Sequence, residues 1–86
     1  MNYQDAQYRE EQYQQKLEQA QGSLAEGEPQ TALYLAEDLL EQRALDVEVL
    51  NLCAVAATNL GDTAKAGALF EKALLLEPGN GAVHHN

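Results

Sequence analysis

The chain has 86 residues, room for one small domain that buries only about 60% of the surface its unfolded form exposes. Fourteen acids against five Lys plus Arg give a formal charge of −9, a field that repels nucleic acid and anionic membrane and favours a basic or apolar partner. A lone cysteine, Cys53, excludes an internal disulfide framework; with no leader-like segment and no apolar run of bilayer length, the expectation is a cytoplasmic protein without membrane insertion.

From Asn2 to about Ala25 the residues Tyr3, Ala6, Tyr13, Leu17, Ala20 and Leu24 fall on a 3-4-3-4 ladder broken only at Glu10. That spacing predicts an amphipathic helix with a thin apolar stripe. Residues 1–12 carry little apolar area and read as a polar extension of this first helix. Gly27 suits its C-terminal cap, because glycine adopts the left-handed conformation without a Cβ penalty. Pro29 then stands at the first turn of a second helix, where a missing N–H costs nothing. Ala32, Leu35, Ala36, Leu39 and Leu40 form its stripe, with Glu37, Asp38 and Glu41 on an acidic opposite face.

Asp46 is placed to cap a third helix with stripe Leu50, Cys53, Ala54, Ala57 and Leu60. Gly61 closes that helix. Asp62 caps a fourth, whose expected inward residues are Ala66, Leu69, Phe70, Ala73 and Leu74, before Pro78-Gly79 ends it. Four helices joined by short turns make two antiparallel hairpins. No window alternates long enough for a strand, so the fold class is all-α.

Gly27 and Gly61 lie 34 residues apart, and Tyr13–Asp46 laid over Val47–Asn80 gives identities at Ala20/Ala54, Gly27/Gly61, Ala32/Ala66, Leu35/Leu69, Glu37/Glu71 and Leu40/Leu74. These are mostly packing positions, as a structural repeat requires. Together with Ala66, Phe70, Ala73 and Pro78, which match A-x3-F followed by a closing proline, they resemble the tetratricopeptide repeat. In the second repeat, 47–80, Leu50, Cys53, Ala54 and Ala57 stand in the Trp, Leu, Gly and Tyr slots. In the degenerate first repeat, 13–46, Lys16, Gln19 and Ser23 fill the Trp, Leu and Tyr slots and Ala44 replaces the proline, so the first helix is free to roll its Tyr13, Leu17, Ala20, Leu24 stripe inward. Residues 81–86 would open a third repeat with His84 in its Trp slot, which suggests a piece of a longer array.

The resemblance implies a short solenoid of two stacked hairpins plus a C-terminal stub, acting as a non-catalytic protein-interaction module. It also implies a groove lined by the first helix of each hairpin, here Gln14, Leu17, Gln21, Leu24 and Ala25, then Glu48, Asn51, Leu52, Val55, Thr58 and Asn59. That lining is amide and apolar, suited to a peptide or protein segment. The carboxylate clamp of some family members has Leu17, Gln21 and Leu52 at its positions, so it is absent. Glu37, Asp38 and Glu41 are a candidate docking face for a basic segment, weighed against an ordinary solvated helix face.

Neither catalysis nor a cofactor is expected, since no nucleophile, base or phosphate-cradling loop is spaced by a known motif. The adjacent His84 and His85 point about 100° apart on a helix and make no metal site. Cys53 sits in an apolar stripe as a small hydrophobe. Two alternatives to the groove remain. The open edge after the fourth helix could drive homo-oligomeric assembly, or it could shield a client helix as a secretion-type chaperone does.

Overall fold

The structure, a computed structural model, describes residues 3–76 as four helices: α1 (Tyr3–Ala25), α2 (Pro29–Gln42), α3 (Val47–Asn59) and α4 (Thr63–Leu76). Among the described residues there is no strand, and the chain is all-α. The expected features at Pro78, Gly79, His84 and His85, with the start of a third repeat, lie outside the described residues.

The helix ends follow from local chemistry. Gly27 (φ 82°) and Gly61 (φ 84°) are both left-handed. After α1 the Gly27 N–H donates to the Leu24 carbonyl at 3.2 Å and the Glu28 N–H to the Ser23 carbonyl at 2.8 Å. After α3 the Gly61 N–H donates to the Thr58 carbonyl at 3.0 Å and the Asp62 N–H to the Ala57 carbonyl at 2.9 Å. Each pair is a Schellman closure, so the two glycines 34 residues apart are one structural device used twice. The starts are less alike. Asp46 caps α3 by accepting the Val49 N–H at 3.3 Å, and Asp62 caps α4 by accepting the Lys65 N–H at 3.1 Å. Glu28 makes no side-chain cap at α2, which begins on Pro29 instead.

Side-chain pairs give the helix directions. Glu10 and Tyr13 of α1 meet Arg43 just past α2, whereas Lys16 meets Asp38 one turn or more earlier, so α1 and α2 run antiparallel. The three-residue connection Leu60–Asp62 returns α4 along α3 in the same way. Helix α3 packs on α2 and α4 and also touches α1, which stacks the second hairpin on the first.

The main core joins Tyr13, Leu17 and Ala20 of α1, Ala32, Leu33, Ala36 and Leu39 of α2, and Val49, Leu52, Cys53 and Ala56 of α3, with Leu24, Leu35, Leu40 and Leu69 packed at its margin. Thus α1 does bury its Tyr13, Leu17, Ala20 stripe, while Ala6 to Gln12 stand in solvent as a polar extension. Leu50, Ala54 and Ala57 are buried on another side of α3, toward α4, where Ala66 and Ala73 answer them. Small side chains there let the two helices approach closely.

Two expectations about packing are corrected. Phe70 and Leu74, expected inward on α4, are 43% and 58% exposed, because among the described residues no helix lies beyond α4 to cover them. Leu60, expected in the α3 stripe, is also exposed, since it is the cap residue past the last turn. Conversely α3 buries Val49, Leu52 and Ala56 in addition to its predicted stripe, because it packs between the first hairpin and α4.

Candidate functional site

Helices α1 and α3 lie side by side, and their outward faces form the candidate groove. Gln14, Gln21 and Ala25 on α1 and Glu48, Asn51, Val55, Thr58 and Asn59 on α3 are exposed, with Leu24 half-buried between them and the core. The Gln21 amide donates to the Glu48 carboxylate at 2.9 Å, bridging the two helices across this face. Thr58 turns its hydroxyl back to the Ala54 carbonyl at 2.9 Å, leaving its methyl outward. Leu17 and Leu52, expected to line the groove, are instead core residues, 4% and 8% exposed. Both belong to stripes that α1 and α3 bury against α2, so a ligand could not reach them without opening the core. What remains is a shallow amide-rich surface with Val55 as its apolar centre.

The acidic face is not a free one. Asp38 pairs with Lys16 of α1, and Glu37 pairs with Lys65 of α4. Only Glu41 of the three is without an ion pair among the described residues. Glu37 also holds the Lys65 ammonium above its ordinary pKa through their hydrogen bond. Two of the three acids are thus paired across helices, which leaves Glu41 as the unpaired carboxylate of this face among the described residues.

A second group, which periodicity does not reveal, joins α1 to the corner between α2 and α3. The buried Tyr13 ring lies under the Arg43 guanidinium at 3.9 Å from its centroid, and its hydroxyl donates to Asp46 at 2.8 Å. Arg43 in turn pairs with Glu10, whose carboxyl it holds below the usual range. Burial, reinforced by the Asp46 bond, drives the Tyr13 phenol well above its ordinary pKa. Asp46 so serves two helices, one carboxylate oxygen capping α3 and the other holding α1. The signal present in the sequence is that a tyrosine in a buried stripe needs a partner for its hydroxyl, and Asp46, the cap of α3, lies 33 positions on.

Beside this group an open depression of about 340 Å³ is lined by Arg9, Gln12, Tyr13, Gln15, Lys16, Gln19 and Gln42. Its cations are engaged elsewhere, Lys16 with Asp38, and its walls are mostly amides. Among the described residues no cluster of His, Cys, Asp and Glu could hold a metal. Cys53 is fully buried, and burial pushes its thiol up to about 11, opposite to the activation a nucleophile requires. Among the described residues no helix is long and apolar enough to cross a membrane. Comparison with protein-family models, with curated proteins and with solved structures finds no match to this chain.

Proposed function

We propose that the chain is a non-catalytic protein-interaction module of the tetratricopeptide kind, which holds a peptide or protein segment along the α1–α3 face. The observation that carries this reading is the pairing of α1 and α3, whose outward faces present a row of amides interrupted by the carboxylates Glu18 and Glu48. Gln14, Gln21, Asn51 and Asn59 offer donors and acceptors to a peptide backbone, and Val55 offers an apolar contact. The overall negative charge favours a segment that is apolar or basic.

A test uses peptides selected by display against the folded chain, measured by calorimetry. The double variant Asn51→Ala/Val55→Asp should bind about tenfold more weakly while keeping its helical circular dichroism. Unchanged affinity in that variant counts against the groove. A second reading, in which the α4 edge engages a second copy or a client helix, has the exposed Phe70 and Leu74 in its favour. Sedimentation equilibrium decides the self-association form, which a strict monomer at high micromolar concentration removes.

A further inference from the structure

The two repeats can be compared position by position, and their second helices differ in burial where α4 meets solvent. On α2, Asp38 reaches back to Lys16 of α1 while Glu37 reaches forward to Lys65 of α4, which marks one flank as facing α1 and the other as facing the second hairpin. The forward flank of α2 carries Leu33, Ala36 and Leu40, and the packing of α3 leaves none of the three exposed. The corresponding flank of α4 carries Gly67, Phe70 and Leu74, and all three are exposed. The apolar volume is kept, redistributed from Leu33 to Phe70, although nothing among the described residues covers it. Beside it stands Glu71, the repeat counterpart of Glu37, with no ion pair among the described residues.

We infer that the forward flank of α4, with Glu71 at its rim, docks a helical hairpin of a partner. Its first helix would present small apolar residues at the spacing of Val49, Cys53 and Ala56. Its second would carry a Lys or Arg in the first turn, which pairs with Glu71 as Lys65 pairs with Glu37. The α2–α3 contact supplies the geometry and the unpaired Glu71 supplies the charge preference. A second copy of this chain is a poor occupant. Its own matching hairpin is already engaged on α1 and α2, and bringing two chains of charge −9 together is repulsive. This inference concerns a face distinct from the α1–α3 groove and does not depend on it.

The probe is a labelled peptide spanning residues 46–76 of this chain, which carries that chemistry, titrated with the intact 86-residue protein. Binding should saturate below about 100 μM, as for a small interface. Leu74→Asp in the intact protein should weaken it at least about tenfold by setting a charge in the apolar seam. Glu71→Lys should weaken it about fivefold, the scale of a surface ion pair turned repulsive, and Lys65→Glu in the peptide should restore binding to that variant. Groove variant Asn51→Ala/Val55→Asp should bind the peptide normally. The inference is overturned by no binding, by binding indifferent to Leu74→Asp and Glu71→Lys (exchange onto α1–α2), or by an intact protein that dimerises through α4 more tightly than it takes the peptide.

Discussion

Four glycines allow the repeat device to be separated from ordinary helix chemistry by the sign of one substitution. Gly27 and Gly61 sit at positive φ with nothing within 4 Å of the point where a β-carbon would stand, and Gly22 and Gly67 lie inside α1 and α4 with equally open surroundings. Steric clash is thus absent at all four, and only backbone conformation distinguishes them. Alanine at Gly61 must adopt the left-handed region or break the paired bonds to Thr58 and Ala57, which costs about 1–2 kcal/mol. Gly27→Ala faces the same cost at the bonds to Leu24 and Ser23. Alanine at Gly22 or Gly67 instead removes unfolded-chain freedom and gains helix propensity, stabilising by roughly 0.5–1 kcal/mol.

For a domain of this size each kcal/mol moves the midpoint by about 4–8 °C, so the pairs should separate clearly in thermal melts followed by helical circular dichroism. Urea titrations should show midpoints shifting in opposite directions at constant slope. A neutral Gly61→Ala would mean that the turn after α3 tolerates a non-glycine closure, and that Gly27 and Gly61 are not one device. A destabilising Gly67→Ala would show that the forward flank of α4 is covered in the free protein.

Raising salt from about 50 mM toward 1 M should increase the melting temperature. The three ion pairs are all substantially exposed and worth about 0–1 kcal/mol each, whereas screening relieves repulsion among the excess acids; a falling midpoint would show that the pairs dominate. Folding raises the Cys53 pKa from 9.0 to about 11, so its contribution to stability is complete below pH 9.0 and fades as pH rises toward 11. Cys53→Ala should flatten that alkaline slope in urea titrations, and native Cys53 should resist thiol reagents at about pH 8 until the chain unfolds. Tyr13→Phe removes one hydrogen bond and should cost about 1 kcal/mol, while Asp46→Ala strips the α3 cap and orphans the Tyr13 hydroxyl, costing about 2–3 kcal/mol in the same assay. Equal losses in the two variants would show that the bridge, not the cap, is what Asp46 supplies.

Much of the fold is written in features that act over a few residues. Gly27, Pro29, Asp46, Gly61 and Asp62 each decide a local backbone conformation or terminal N–H, so the helix boundaries can be read from them directly. The stripe of α1 is equally direct, because one buried face produces one period, while that of α2, which packs on both α1 and α3, misses the buried Leu33. Helix α3 is harder, since a helix between two neighbours buries two faces, and a single stripe through Leu50 and Cys53 misses Val49, Leu52 and Ala56. That is why Leu52 reads as groove and lies in the core. The ion pairs are not legible, for Lys16 and Asp38 are 22 positions apart and their meeting depends on the register of the hairpin. An acidic face on α2 is visible, but not that Lys16 and Lys65 come from opposite sides to neutralise two of its members.

Phe70 marks the limit of periodicity, which assigns a residue a direction around its helix and cannot say whether another element stands in that direction. In the first repeat the equivalent Ala36 is sealed because α3 follows; in the second the larger Phe70 and the identical Leu74 point the same way and meet solvent. Had this flank been an ordinary surface, exchange toward polar residues would carry no packing penalty, yet Gly67, Phe70 and Leu74 retain about the apolar bulk of their buried counterparts. The repeat thus supplies an internal control: the same register, once covered and once open. The open copy differs from the covered one in its surroundings more than in its chemistry, and this contrast makes α4, as well as the α1–α3 groove, a face to test for a partner.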